Sequence, residues 1–559
     1  MNSLLLLTSS ALVVGASAAG QSRLFRFEGE AVHHRLGAAV ASAGDLNGDR
    51  YCDVLSGAPG HADGTGLVRA FSGRDGRQLL QLSGTSKGDG FGWSIASVGD
   101  VNNDTVPDIV IGAPQLSGLS GGGYARLHSG KDGALLRMFM GKKVGDGFGV
   151  SVAAAGDVDM DGVPDLIIGA HGEDTGGNLA GNAQVFSGKD GTILHTFTGK
   201  TTRDFFGFSV AGIGDVNKDG HADVIVGAPD RDHMVGRTQF FESGEAVVFS
   251  GKTGQQLFQK NGDSTSDFFG HSVTGCGDFN KDGWPDFAVG APEYFDPTRR
   301  DPGYARVFSG RDGTTLQTLR GDSNGDFFGD PVRGGNDLNG DGSVDLIVGA
   351  HLNSAGGANA GLLRAFSGKD SKVLFTITGK AGDLFGFNAA IAGNIDSTLA
   401  DDLIVGAPGA SPQGNGSGFC QAVSGGMLSV VMDVHTVDVV TGGQQQLYLT
   451  APASQKKRLY HVLGSFSGCD PSKGITVGKG LVLPLVYDFY TLYTLTNSNT
   501  VILGSIGLLD DQAKGQAAFD LPKGHLWLRG LRFDHAFMVY DLVNLKVSFV
   551  SNARPVVMK

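Results

Sequence analysis

An acidic nonapeptide, repeated in phase seven times, constrains this chain more than any other feature. Its fullest copy is Asp157-Val-Asp-Met-Asp-Gly-Val-Pro-Asp165, followed by the apolar run Leu166-Ile-Ile-Gly-Ala170. Side-chain oxygens stand at positions 1, 3, 5 and 9: Asp157, Asp159, Asp161 and Asp165. The carbonyl of Val163, at position 7, is expected to supply a fifth oxygen. Gly162 at position 6 suits the sharp turn of a loop closing on a cation, where a Cβ is unwelcome. Hard oxygens from one short loop are what Ca2+ takes. Without a cation, carboxylates so close together would repel one another strongly.

The same register recurs with Asn at position 3. It runs Asp45, Asn47, Asp49, Asp53 with Tyr51 at position 7, then Asp100, Asn102, Asp104, Asp108 with Val106. Next come Asp215, Asn217, Asp219, Asp223 with His221, and Asp278, Asn280, Asp282, Asp286 with Trp284. The sixth is Asp337, Asn339, Asp341, Asp345 with Ser343. A seventh copy is worn to Asn394, Asp396 and Asp402, with Thr398 and Leu399 at positions 5 and 6. First positions are spaced by 55, 57, 58, 63, 59 and 57 residues. One such loop in 559 residues could be chance; seven in phase cannot. The ligand positions of the loops hold 21 of the chain's 57 acidic residues, so bound calcium would offset much of the formal charge of −13. That charge argues against nucleic acid or an anionic membrane surface as partner.

Around each loop the repeat reads alike. A Phe-Gly or near equivalent opens it (Leu36-Gly37, Phe91-Gly92, Phe148-Gly149, Phe206-Gly207, Phe269-Gly270, Phe328-Gly329, Phe385-Gly386). A short strand of small residues, the acidic loop and an apolar strand ending in Gly-Ala-Pro or Gly-Ala-His follow, as at Gly57-Ala-Pro59 and Gly169-Ala-His171. A variable loop then leads to a third strand, a Ser-Gly-Lys/Arg-Asp-Gly turn and a fourth strand. Asp-Gly between β-type runs is a hairpin signal. Four short strands per repeat, seven repeats and no helical periodicity predict an all-β, seven-bladed β-propeller. Leu24-Phe-Arg-Phe27 matches the fourth-strand pattern, so it is expected to complete the seventh blade and close the ring.

Phe-Gly, the acidic nonapeptide and Gly-Ala-Pro together resemble the FG-GAP repeats of integrin α-subunit propellers and their bacterial relatives, over about residues 24 to 427. The resemblance implies a propeller with calcium in loops between the strands of a blade. Integrins carry such loops in a subset of repeats, whereas here all seven have one, and no stretch reads as the metal-binding domain that some integrins insert. Integrin-type partner binding therefore does not carry over automatically.

Residues 1–19 hold an apolar run from Leu4 to Val14 and a small-x-small pattern, Ala16-Ser17-Ala18, and read as a secretory signal peptide. The propeller is expected over 20–427. Beyond about 428 the phasing stops, and apolar, aromatic-rich runs such as Leu481–Val486 and Ala536–Tyr540 suggest a small antiparallel β-sandwich over 428–559. Of the four cysteines, Cys52 and Cys276 lie beside loops of distant repeats, while Cys420 could pair with Cys469.

No catalytic motif stands out. Gly-x-Ser-x-Gly at Gly84–Gly88 and Gly118–Gly122 lacks the strand-to-helix setting of a nucleophile elbow. Ser250-Gly-Lys-Thr253 lacks the earlier glycine and the helix of a phosphate loop. His171 and His351, replacing proline in Gly-Ala-Pro, are expected at the surface. The pairs Phe205-Phe206, Phe268-Phe269 and Phe327-Phe328 are expected in the core between blades. The resulting expectation is a secreted, calcium-stabilised scaffold that binds an extracellular protein or glycan through its variable loops. Those loops are Gln115–Gly123, Gly172–Gly181, Asp230–Gly244, Glu293–Pro302 and Leu352–Gly361, with Asp230–Gly244 the first choice for a contact. The alternatives are a polysaccharide hydrolase or lyase and a purely structural coat component. A cluster of acids, His or Arg at the channel mouth, free of metal, would favour the enzyme.

Overall fold

A computed structural model of the chain describes residues 23–425 except 117–120, 236–237, 294–301, 340 and 396–399, and beyond 425 the backbone of the strands alone. Seven four-stranded antiparallel sheets succeed one another. In the first, Ala39–Gly44, Asp53–Ala58, Leu67–Phe71 and Gln78–Ser83 lie in chain order from inner to outer. The composition of each strand follows from its place. The second strands, such as Asp108–Ala113 and Asp165–Ala170, are covered on both faces by neighbouring sheets and are buried throughout. The outer strands keep one face in solvent and alternate accordingly. The inner strands are rich in Ala, Ser and Gly because seven of them converge on one axis, around a channel of about 630 Å³.

Each inner strand lies beside those of the two flanking sheets, and Ala39–Gly44 of the first lies beside Asn388–Gly393 of the seventh. The ring is therefore closed. The seventh sheet takes its outer strand from the start of the described chain: Arg23–Glu28 pairs antiparallel with Phe419–Val423, with Phe27 opposite Cys420. Phe27 stacks on Phe71 of the first sheet at 3.9 Å between ring centroids. Leu24, Leu36, Val54, Ile395 and Ile404 complete the shared core of the two sheets. The closure implied by the N-terminal pattern is what forms.

Register fixes two faces. In the third sheet Phe148 pairs with Ala170 and Gly156 with Asp165. All Phe-Gly and Gly-Ala ends thus share one face with the variable loops, and all acidic loops share the other. The inner strand bulges just before its loop: Ser42 pairs with Val54, but Gly44 with Asp53. Gly44 sits at φ +71°, and a Cβ there would stand 2.9 Å from Pro107 Cγ of the next blade. Only glycine meets both demands.

Two expectations need correction. Phe206, Phe269 and Phe328 are buried between blades. Of their predecessors, Phe268 and Phe327 are buried as well and Phe205 is half-buried, but none of the three belongs to the clusters packed between blades. They stand at φ +51°, +54° and +61°, which turns the first ring of each pair toward the loop face. There Phe205 lies 5.6 Å from the ring of His171, and Phe327 lies 5.1 Å from His351. Covered in this way, and by Phe208 and Phe387 of the following blades, the two histidines are not surface residues. His351 is buried, and burial pulls His171 down to about 4.

Cys420 is buried and unpaired, and Cys469 lies outside the described residues, as does the leader expected over 1–19. Beyond 425, Gly443–Thr450 pairs with Lys514–Leu521 and Leu459–Ser465 with Arg532–Asp541, both antiparallel.

Candidate metal loops and the channel mouth

The acidic loops form one geometric template. In the third, Asp157 Oδ1 accepts the N–H of Asp161 at 3.1 Å and Oδ2 that of Gly162 at 3.1 Å. Asp159 Oδ1 accepts the same Asp161 N–H, and Asp161 Oδ1 accepts that of Val163 at 2.9 Å. The pattern repeats in the first loop (Asp45, Asn47, Asp49, Tyr51) and the second (Asp100, Asn102, Asp104, Val106). It repeats again through His221, Trp284 and Ser343 in the fourth to sixth. Backbone N–H groups thus fix the first three side chains of each loop before any ligand arrives. Position 6 is left-handed in all six loops: Gly162, Gly220, Gly283 and Gly342 adopt it without strain, whereas Arg50 and Thr105 do so at φ +72°.

Position 9 does more than the sequence suggests. Asp53, Asp108, Asp165, Asp223, Asp286, Asp345 and Asp402 are completely buried. One oxygen of Asp165 accepts the N–H of Val158 at 2.7 Å, and the other that of Gly188 at 2.9 Å. Gly188 belongs to the Ser-Gly turn before the outer strand, so the carboxylate staples loop to turn within a blade. All seven blades have this staple. In the seventh, Asp402 accepts from Ile395 at 2.7 Å and Gly425 at 3.1 Å. Asn394 is described there, while Asp396, Thr398 and Leu399 lie outside the described residues.

These residues fit a hard divalent cation. Oxygens of Asp157, Asp159 and Asp165 all lie within 4.8 Å of one another, as ligands about 2.3–2.6 Å from one ion must. Burial, with the neighbouring acids adding to it, pushes the carboxyls of Asp53, Asp165, Asp223 and Asp345 up to about 6. A cation would reverse that by favouring the charged form. Asp or Asn at positions 1, 3 and 5, the position-7 carbonyl and Asp at position 9 would hold it. The loops also touch one another. Ala222 donates its N–H to Asp157 O at 3.0 Å, Cys52 to Asn394 O at 2.9 Å and Asp401 to Asp337 O at 3.1 Å. A change in one loop is therefore felt in the next.

The opposite face holds a second phased set of acids that the motif reading missed. Asp89, Asp146, Asp204, Asp267, Asp326 and Asp383 each precede Phe-Gly by two residues. Asp89 Oδ2 accepts the N–H groups of Thr85 and Ser86 at 3.0 and 2.9 Å and the Tyr124 hydroxyl at 2.8 Å. Asp267 does the same with Asp263, Ser264 and Tyr304. Their fixed distance from Phe-Gly was the available signal, and their purpose is to close the turn between blades.

Seven residues that follow Phe-Gly encircle the channel mouth on this face: Ala38, Trp93, Val150, Phe208, His271, Asp330 and Phe387. Asp330 lies 3.4 Å from His271 Nδ1 and 3.9 Å from His351 Nδ1. Burial works to raise its carboxyl, but His271, His351 and Arg333 outweigh this and hold it below the usual range. Beside the mouth rises the Asp230–Gly244 segment, a hairpin of His233–Val235 and Thr238–Phe240. Met234 and Phe241 are exposed on it. At its base, Asp230, Glu242, Phe205, Phe208, Phe268, His171 and His271 line a cavity of about 480 Å³.

The FG-GAP repeat model matches this chain at residues 91–128, 148–186, 206–248 and 269–308. Integrin alpha-5 of Xenopus laevis is 33% identical over 223 residues, covering 36% of this chain and 20% of that protein. Integrin alpha-V of Gallus gallus is 31% identical over 207 residues, 34% of this chain and 20% of that protein. Integrin alpha-8 of Mus musculus is 31% identical over 208 residues, 34% and 19% respectively. The aligned part spans about a fifth of the length of these relatives. A solved structure described as "Structure of Dos1 propeller" superposes with a TM-score of 0.39 at 10% identity, over 73% of this chain and 95% of that one. The chain therefore carries FG-GAP repeats, and over about a third of its length it is similar to integrin alpha subunits.

Proposed function

We propose that this chain is a secreted, calcium-stabilised propeller that acts as an extracellular binding or adhesion scaffold. The observation that carries the proposal is the division of labour between the two faces. One face carries six described loops of a common template, each with a buried position-9 carboxylate, and in the third the oxygens of Asp157, Asp159 and Asp165 lie close enough together to share a cation. The other carries the variable loops, an exposed apolar hairpin and the channel mouth. Calcium would hold the ring rigid while the loop face offers the contact surface, a protein or a glycan being the ligand. The similarity to integrin alpha subunits supports adhesion as the broad class. Among the described residues no helix is long and apolar enough to cross a membrane.

The test is an array of extracellular proteins and glycans probed with calcium-loaded and chelated chain. The scaffold reading expects calcium-dependent binding that weakens in the double variant Met234→Ser, Phe241→Ser. Binding by the chelated chain as strong as by the loaded one would contradict it. A polysaccharide-active enzyme is the second reading, favoured by the convergence of Asp330, His271, His351 and Arg333 at the channel mouth. Release of shortened saccharides from acidic polysaccharides, abolished in Asp330→Asn, would select it over the scaffold.

A further inference from the structure

The sixth repeat departs from the others at one place in the channel wall. Four residues after the glycine of Phe-Gly, the repeats carry Ala41, Ala96, Ala153, Ala211, Thr274, Arg333 and Ala390, and all seven line the channel. Arg333 thus sets a guanidinium in a wall otherwise made of methyl and hydroxyl groups at that level. Its Nη1 donates to Ser272 Oγ at 3.2 Å and to Val332 O at 2.8 Å. Its Nε and Nη2 have no partner among the described residues. Asp330 is engaged with His271 and His351 and forms no ion pair with Arg333. Enclosure lowers the affinity of the guanidinium for its proton, and Asp330 offsets this only in part. A half-buried cation on the channel wall with two donors unengaged among the described residues suits an oxyanion, and the fork geometry of arginine matches a carboxylate.

Two further features narrow the ligand. Asn388 Oδ1, also on the channel wall, is buried with no donor. Trp93, Phe208 and Phe387 present rings around the mouth. A hydroxyl-bearing ring satisfies both, with an O–H for Asn388 and a C–H face for the aromatics. An acidic peptide side chain brings the carboxylate but no hydroxyl. A space of about 630 Å³ takes one or two sugar rings and no folded partner.

We propose that the channel mouth binds a uronic acid residue of an extracellular glycan, its carboxylate bridging Nε and Nη2 of Arg333 and a hydroxyl donating to Asn388 Oδ1. The site rests on the reading of this face as a ligand surface.

The test is calorimetric titration of the full calcium-loaded chain with galacturonate and glucuronate, as monosaccharides and trisaccharides. The neutral hexoses and a glutamate-containing tripeptide serve as comparisons. Arg333→Ala places in the sixth repeat the residue that five others already carry, so the ring is expected to fold, and its melting curve checks this. Binding of uronates, not of hexoses, weakened at least about tenfold by Arg333→Ala, is the expected result. Absence of uronate binding, equal binding by Arg333→Ala, or tighter binding of the tripeptide overturns the proposal. A chain that binds array ligands through its hairpin but ignores uronates overturns this site and leaves the scaffold standing.

Discussion

Replacing Asp165 by Asn separates the two tasks of a position-9 carboxylate. Each of its oxygens accepts a backbone N–H, from Val158 at 2.7 Å and Gly188 at 2.9 Å. An amide has one carbonyl oxygen, so its NH2 must face one of these donors. One charge-assisted hydrogen bond is lost, about 1.5–3 kcal/mol, and one buried N–H is orphaned, about 1–3 kcal/mol. Part of this is returned, because burial opposes ionisation of the Asp165 carboxyl and a neutral amide escapes that opposition. A net loss of about 2–4 kcal/mol follows in chelated protein. With calcium about tenfold above its Kd, loss of the site removes a further ~1.4 kcal/mol. Urea unfolding of wild type and Asp165→Asn, in calcium and in chelator, reads both quantities. Equal losses in the two conditions would show that no metal sits in the third loop. A loss under about 1 kcal/mol in both would refute the staple itself.

Other consequences can be checked alongside. Asp159→Asn gives the third loop the position-3 residue of five others and keeps the acceptor for Asp161 N–H. Stability in chelator should not change, while calcium affinity at this loop should fall toward that of the fourth to sixth loops by calorimetry. Asp402→Asn should destabilise the ring by about 2–4 kcal/mol with and without calcium, since the seventh loop keeps the staple but few charged ligands. Asp53, Asp165, Asp223 and Asp345 have raised carboxyls in the metal-free chain, at about 6. Their contribution to metal-free stability is therefore present below about pH 4 and lost as pH rises through about 6. Calcium binding must displace their protons, so calcium affinity should weaken at pH 5 relative to pH 7.5, as titrations at the two values would show. Ser209→Ala removes the 2.7 Å bond from Ser209 Oγ to Gly270 O between two blades and should cost about 1 kcal/mol in urea unfolding.

The ring was legible because its periodic features are local. A carboxylate at fixed register, a glycine at position 6 and Phe-Gly at constant spacing each report a backbone conformation within a few residues, and seven repetitions remove the ambiguity of one. Closure was legible for the same reason: Leu24 to Phe27 carries the outer-strand pattern that precedes each Phe-Gly. The missed features depend on contacts between repeats. The pair Phe205-Phe206 reads as two core residues, and only the left-handed turn at Phe205 parts them. His351 looks like a loop residue until Phe327 and Phe387 from two blades cover it. The segment Asp330-Pro-Val-Arg333 carries no local motif. Its meaning emerges once the ring brings His271, Asp330 and His351 together from two neighbouring blades.

The most direct test of a cation-held ring is its thermal unfolding with saturating calcium and with excess chelator, together with the number of calcium ions bound per folded chain. Six template loops, each contributing ~1.4 kcal/mol at tenfold saturation, predict about 8 kcal/mol of calcium-dependent stability. Several ions per chain and a midpoint that collapses on chelation and returns on recalcification would agree with this. Superimposable melting curves, with no calcium retained, would contradict it.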